Sequence, residues 1–275
     1  AAFFAAVGLR PDMVLGIHLP PCADAAVILF AALKAGLVVA PLPVYWTKSE
    51  IEAAIEAASI KAMVTASEIE SEPSGELVRD VAADTFAIRF VFAVGDGQPD
   101  GLIDLSEVLA DLDALGEPPE VARRGEAADH VALLSMARTP DDELLIVPYS
   151  HNQLMAIATG HLLEAGIVSP ETVLSTMHPA SLASVAGSIT TALMSGGHVA
   201  FHNGTSLAGL AEAAESVGAD RIVLPEVMVA PLAARLDRPL AFSAVGVGLG
   251  LAPAPAARTV DLLTLGGRCL IPRAR

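Results

Sequence analysis

Three adjacent carboxylates, Asp141, Asp142 and Glu143, stand in the run MARTPDDELLI at 136–146. Carboxylates this dense either ligate a hard cation or sit in solvent. A Ca²⁺ loop spaces its oxygen ligands at alternating positions; this run does not, and it reads as an acidic solvated loop. His198 and His202 lie four apart in GGHVAFHNG, which on a strand puts both imidazoles on one face, as two metal ligands would be. No third ligand follows at a metal-site spacing, so the pair reads as a strand end beside a turn. Ser150 and His151 bring a hydroxyl next to a base, but ahead of an apolar run they are an N-cap and a first-turn residue. Gly246, Gly248 and Gly250 spell GxGxG rather than the dinucleotide GxGxxG, and no acidic residue follows about 20 positions later. Gly187-Ser188 and Ser195-Gly196 do not make a GxSxG elbow. On residue types alone, no catalytic residue and no metal ligand is assigned.

These residues have to be placed by an alternation of strands and helices. The segment 13–19 reads as a strand and 22–35 as a helix stopped by Gly36, a common C-terminal signal. A short apolar run at 38–42, closed by proline, reads as the next strand. Thr47-Lys-Ser-Glu50 is a capping box that opens an Ala/Ile-rich helix ending near Ser59, and 61–66 is a third strand. Residues 67–80 turn polar; 87–94 is β-rich and ends at Gly95-Asp-Gly97; 105–115 looks helical. EPPEVARRGEAA at 117–128 has prolines, charges and no apolar period, and reads as a linker. The pattern then resumes, with strands at 130–135, 172–176, 198–201, 221–224 and 242–247. Helices lie between them at 150–165, 181–195, 206–217 and up to about 236. Such alternation predicts α/β architecture: parallel sheets layered with helices, in two βα subdomains. The expected division is 1–116, a linker at 117–128, and 129–275.

Composition agrees. Hydrophobic residues make up 53% of the 275-residue chain and charged residues only 17%, which excludes disorder. Aromatics are scarce at 4%, so Ala, Val, Leu and Ile must build the core. A net charge of −16 repels phosphate backbones, and the small basic tail of Arg268, Arg273 and Arg275 does not offset it, which argues against nucleic-acid binding. Cys22 and Cys269 form neither a CxxC nor a Cys/His pattern. Reducing conditions are then the default, and the beginning AAFFAAVGLRPD has no signal-peptide pattern, so a cytoplasmic location is expected. The apolar stretch 25–44 contains Lys34, Gly36, Pro41 and Pro43, and reads as a helix followed by a buried strand rather than a membrane span.

The order of segments resembles the AMP-forming acyl-CoA synthetases, the adenylate-forming family, over about residues 1–265. The family's G-hydrophobic-x-P-G-D turn, P-N turn, K-x-G helix end and P-hydrophobic-P strand exit correspond here to Gly8–Asp12, Pro20-Pro21, Lys34-Ala-Gly36 and Pro41-Leu-Pro43. After the linker the family has a phosphate-binding loop, YTSGTTG-x-P-K-G, and then a T/S-H-x-N-L helix start. That helix start resembles Ser150-His-Asn-Gln-Leu154. Counting back without a gap puts the loop at 136–146.

What the resemblance implies there is a changed loop. Arg138 stands at the serine position, Thr139 at the first glycine, Pro140 and Asp141 at the threonines, and Asp142 at the second glycine. Leu144, Leu145 and Ile146 replace the proline, the lysine and the final glycine. Small residues and hydroxyls let backbone N–H groups wrap phosphates, whereas two adjacent carboxylates oppose them unless Mg²⁺ bridges the charges. The family's cofactors are ATP with Mg²⁺ and CoA; this loop is expected not to hold ATP in the family manner. The aromatic–His pair that lines the family's acid pocket falls at Ala180 and Ser181, with His178 three residues away. The adenine-side segment falls at Gly248, Leu249, Gly250, Leu251 and Ala252. The chain stops at Arg275, before the segments that carry the family's ribose-binding aspartate and catalytic lysine, so it reads as truncated. The expectation is an acid–CoA ligase large domain with impaired catalysis. The alternative is a non-catalytic module that binds an acyl or aromatic acid, or a protein partner or second copy through exposed apolar surface.

Overall fold

The computed structural model describes residues 1–110, 115–118, 120–121, 125–139, 141–204, 206–247, 259–264 and 269–274. Contacts divide the chain into two compact units, 1–20 with 24–151 and 21–23 with 152–275.

The first unit holds α1 (Ala2–Ala6), β1 (Val14–His18), α2 (Ala23–Lys34), β2 (Val38–Pro41), α3 (Lys48–Ala58), β3 (Ile60–Ala66), α4 (Ser74–Asp84), β4 (Phe90–Val94), β5 (Ile103–Asp104), α5 (Leu105–Ala110), β6 (Val131–Arg138) and β7 (Leu144–Ser150). Its sheet runs β5-β4-β3-β1-β2-β6-β7, parallel except for the antiparallel β6–β7 pair. Central β1 pairs on both sides, Val14 with Val38 and with Ile60. It is buried from Leu15 to His18, as a central parallel strand should be. Gly16 lets β1 approach its neighbour: an added Cβ would lie 2.2 Å from Met63 Sδ. Gly36 takes φ +76° just past α2 and releases the chain into β2. The Thr47–Glu50 capping box forms, and Ser59 ends α3 in the left-handed region at φ 54°. Ile51, Ala54 and Ile55 of α3 and Val78 and Val81 of α4 pack over Ile60 and Met63, with Trp46 in the same cluster.

The second unit holds α6 (His151–Ala165), β8 (Thr172–Ser175), α7 (Leu182–Ser184), a π-helical turn (Val185–Thr190), α8 (Thr191–Ser195), β9 (His198–Phe201), α9 (Leu207–Ser216), β10 (Arg221–Pro225), α10 (Glu226–Ala233), β11 (Ala241–Val247), β12 (Thr259–Thr264) and β13 (Leu270–Ala274). The sheet order is β13-β12-β11-β10-β8-β9, parallel except for β13 against β12. Leu210, Ala214, Val229 and Leu232 from α9 and α10 cover Leu174, Ile222, Leu224 and Phe242. The π-helical segment approaches β12 at Gly187, where a Cβ would stand 2.9 Å from Leu262 Cδ1. Hydroxyls of Thr190 and Thr191 donate to the carbonyls of Val185 and Ala186, five residues back, both at 2.8 Å. These bonds follow the π repeat rather than the α repeat.

Both sheets are parallel and layered with helices, as the alternation predicts. Two local features add to that reading. The polar stretch 67–80 contains the start of α4, whose sparse apolar positions, Val78 and Val81, are three apart and face inward. The segment 136–146 is half strand, because β6 runs to Arg138 and β7 starts at Leu144. Strands β6 and β7 join the first sheet, and the linker-like stretch 117–128 lies inside the first unit, ahead of β6. The apolar stretch 25–44 is α2 plus β2, and among the described residues no helix is long and apolar enough to cross a membrane.

Candidate functional site

The segment expected to be a phosphate loop is the tip of the β6–β7 hairpin, closed by the pair Arg138–Leu144. Its donors point inward. Thr139 N–H donates to the Glu143 carbonyl and Asp142 N–H to the Thr139 carbonyl, both at 2.9 Å. Glu143 N–H donates to Thr139 Oγ1 at 3.0 Å. Asp142 adopts φ +62°, which Asp tolerates better than most residues, and so tightens the turn. Arg138 Nη1 donates to the Asp142 carbonyl at 2.7 Å and lies 3.3 Å from its carboxylate. Its other nitrogen is 3.8 Å from Glu50 Oε1. Glu50 in turn accepts from the Thr47 hydroxyl and the Thr47 backbone N–H, both at 2.7 Å. Those two bonds, with Arg138 beside them, hold its carboxyl below the usual carboxylate range. The α3 cap and the hairpin thus share one polar chain, Thr47–Glu50–Arg138–Asp142. Asp141, Asp142 and Glu143 face solvent, while Leu145 and Ile146 lie within β7 opposite Ala137 and Met136. Pro140 lies outside the described residues.

In an open parallel sheet, ligands sit beyond the carboxyl ends of the strands where the order reverses. In the second unit that point lies between β8 and β10. There Thr176 bridges the two strands, its N–H and its hydroxyl both reaching the Val223 carbonyl, at 3.0 and 3.3 Å. Beyond it, His178 Nδ1 accepts from Ala180 N–H at 3.0 Å, and Ser181 caps α7 by accepting from Ala183 N–H at 3.2 Å. Ala180 and Ser181 are half-buried in this turn, so the structure brings them together with His178 at the sheet's carboxyl edge. Glu226 opens α10 on the same edge, and its Oε2 would stand 3.0 Å from a Cβ on Gly246. Sequence reading passed over Glu226; the signal was an acidic residue directly after the strand-ending Pro225. Positions Gly248, Leu249, Gly250, Leu251 and Ala252 lie outside the described residues. His198 starts β9 and His202 follows it. Among the described residues, no group of three or more His, Cys, Asp or Glu could hold a metal ion.

A second polar cluster was not legible. His161 of α6 is fully buried, with Nε2 2.7 Å from Ser243 Oγ and Nδ1 3.2 Å from Thr191 Oγ1. The Thr191 hydroxyl already donates to Ala186, so it accepts from Nδ1–H, and Nε2 accepts from Ser243. Ser243 also lies 3.5 Å from Arg221 Nη1, and Arg221 Nε donates to Glu171 at 2.9 Å. A Ser–His contact of 2.7 Å has the geometry of a nucleophile and its base. Both residues are 0% exposed, however, so no substrate reaches them. Burial, with Arg221 nearby, pushes His161 down to about 3. The neutral imidazole is a pin holding α6, α8 and β11 together.

The sequence profile described as "AMP-binding enzyme" matches residues 1–134. Phosphinothricin tripeptide synthetase PhsC of Streptomyces viridochromogenes is 30% identical over 146 residues, 51% of this chain and 13% of that protein. Among solved structures, apo MbtA of Mycobacterium smegmatis superposes with a TM-score of 0.78 at 22% identity, over 96% of this chain and 49% of its own. The anthranilate CoA ligase AuaEII, solved in complex with anthranoyl-AMP, gives 0.79 at 12% identity, over 96% and 52%. The chain therefore spans about half the length of these solved relatives and a small part of the curated one. Residues 1–134 carry the sequence signature of the AMP-binding enzymes, and both units together have the fold of the large domain of adenylate-forming enzymes.

Proposed function

We infer that this chain is a large-domain relative of the AMP-forming acid–CoA ligases that no longer uses ATP and acts as a carboxylic-acid-binding module. One observation carries the reading: the β6–β7 tip spends its backbone donors on itself. An anion cradle needs N–H groups directed outward. Here Thr139, Asp142 and Glu143 each donate within the loop. Three exposed carboxylates surround the tip, and its one cation, Arg138, is engaged by Asp142 and Glu50. Neither the donors nor the charges suit a triphosphate, so no step through ATP, Mg²⁺ or CoA is assigned to this chain. The carboxyl edge at His178, Ala180 and Ser181 supports acid binding, since its polar atoms sit where a parallel sheet receives ligands. The complex of AuaEII with anthranoyl-AMP supports a small carboxylic acid as the class.

Calorimetric titration with ATP·Mg²⁺ tests this, followed by a panel of fatty and aromatic acids. The expected result is no saturable ATP heat and measurable binding of at least one acid. Saturable ATP binding refutes the reading of the hairpin. A variant whose residues 138–146 carry the family's serine, threonines, glycines, proline and lysine should gain ATP affinity. Failure of both that variant and the native chain with every acid would leave a scaffold role. Side chains such as Leu163, Val168 and Val227, which are 75%, 95% and 82% exposed, would then serve self-association.

A further inference from the structure

An edge strand leaves a row of backbone N–H and C=O groups open to another chain, and proteins blunt such edges with short strands, proline, charge or covering groups. Of the edges of the two sheets, β5, β9 and β13 are treated this way. β5 has two residues and β9 four. β13 carries Pro272 and Arg273, and its Ala274 N–H donates to Glu164 Oε2 at 2.8 Å. β7 differs. It runs for seven residues as the last strand of the first sheet, and from Leu144 to Val147 it is apolar and half-buried. Pro148 blunts it only by removing one donor.

The register identifies the open groups. Thr139 N–H donates to the Glu143 carbonyl at 2.9 Å, and from there antiparallel partners alternate between bonded and non-bonded pairs. Ala137–Leu145 and Ser135–Val147 are then bonded pairs, while Arg138–Leu144, Met136–Ile146 and Leu134–Pro148 are not. The N–H groups of Leu144 and Ile146 and the carbonyls of Leu144, Ile146 and Pro148 therefore turn away from β6. Among the described residues, no backbone hydrogen bond ties 144–148 to a strand other than β6. These groups repeat along about 17 Å at the spacing that a further strand needs.

Charge selects what fits. The exposed carboxylates of Asp141, Asp142 and Glu143 stand just before Leu144, and the nearby cation, Arg138, is engaged by Asp142 and Glu50. A net charge of −16 repels a second copy and attracts basic segments. We propose that the outer edge of β7 takes an extended peptide as an additional antiparallel strand, its apolar side chains along Leu145 and Val147 and basic residues at its carboxyl end against Asp141 and Glu143. The tip that does not suit an anion supplies the charge of a protein-docking edge.

The test is fluorescence anisotropy of the whole chain with fluorescein-TVTVTKRK-amide, together with hydrogen exchange. Native protein should bind this peptide saturably, with slowed exchange at Leu144 and Ile146. The same peptide N-methylated at its valines and threonines keeps its side chains and charges but cannot pair, and should not bind. Asp141→Asn with Glu143→Gln should weaken the native interaction about fivefold at low salt, as two exposed ion pairs allow. Ile146→Pro removes an open donor without breaking a bond to β6, and should abolish binding; if that variant does not fold, the N-methylated peptide still decides. No saturable binding overturns the proposal. So does binding of the N-methylated peptide, or binding that leaves exchange at Leu144 and Ile146 unchanged. A dimer in sedimentation equilibrium that Ile146→Pro dissolves assigns the edge to a second copy, and overturns it as well. None of these outcomes involves ATP or a carboxylic acid, so they are read independently of the acid-binding function.

Discussion

Acidification should destabilise the two units through one buried histidine each, in a window set by their neutral state. His18 of the first unit is fully buried at the end of β1, 3.5 Å from Thr65 Oγ1, and burial pushes it down to about 4. His161 of the second unit is pushed to about 3, by burial first and then by Arg221. Arg221, from β10, is the charged group that bears on it, and Arg221 is itself held by Glu171. Both histidines have an ordinary value of 6.5. Because the folded value is depressed, the unfolded chain binds more protons between the two values. Stability is therefore complete above about pH 6.5 and is lost as pH falls towards 4 or 3. At pH 4.5 each histidine is two units below its unfolded value and still neutral when folded, which costs about 2.5 kcal/mol apiece. Against a domain stability of about 5–15 kcal/mol, that is a large fraction. Glu50, whose carboxyl is depressed instead, loses its contribution only at lower pH. Urea unfolding at pH 7.5, 5.5 and 4.5 reads the effect. Trp46, the one tryptophan, is buried in the first unit, so its fluorescence follows that unit while far-ultraviolet dichroism follows both. His161→Gln should remove the pH dependence of the dichroism transition that Trp46 does not report, and His18→Gln that of the Trp46 transition. Midpoints that stay level from pH 7.5 to 4.5 in the native chain would refute the buried, neutral assignment.

Other perturbations have defined outcomes. Gly197→Ala would put a Cβ 2.2 Å from the Glu171 carbonyl, a backbone atom that cannot turn aside. It should cost about 3 kcal/mol or more in the second unit by thermal denaturation, and loosen the Glu171–Arg221 pair. Thr47→Ala removes the α3 cap and one bond to Glu50; a loss of about 1 kcal/mol is expected in Trp46-monitored unfolding. Phe92→Ala empties a fully buried site that Phe3 and Phe4 pack against, and should cost about 3–5 kcal/mol. Arg138→Ala breaks only partly exposed ion pairs and a hydrogen bond, so urea titration should show a loss of about 1 kcal/mol at most.

The alternation of elements was legible because its signals are local. Gly36 at positive φ, the Thr47–Glu50 box and the apolar run at β9 each act within a few residues, and each formed where the residues place it. Helix α4 was hidden because an amphipathic helix with two buried valines looks polar in a short window. The hairpin was hidden for another reason: counting back from Ser150 fixes the length of a segment but not its hydrogen bonding. Whether Thr139 N–H faces a ligand or the Glu143 carbonyl depends on where β6 and β7 pair. The His161 cluster was beyond reach, since Thr191 and Ser243 are 30 and 82 residues away in the chain.

The same distinction explains how the fold persists while the loop departs from the family pattern. Both sheets are held by buried apolar layers such as Ile51, Ile55 and Met63 in one unit and Leu210, Leu232 and Phe242 in the other. None of these depends on residues 139–143. A hairpin tip can change its residues freely if its own polar groups remain satisfied, because an unsatisfied backbone donor costs more than a lost ligand contact contributes to stability. Thr139 supplies that satisfaction three times over, through its N–H, its carbonyl and its hydroxyl. The segment is stable because it is self-contained, and for the same reason it has no backbone donor from Thr139, Asp142 or Glu143 to offer an anion. Recovering an anion site would therefore require reopening the hairpin, not only replacing its carboxylates.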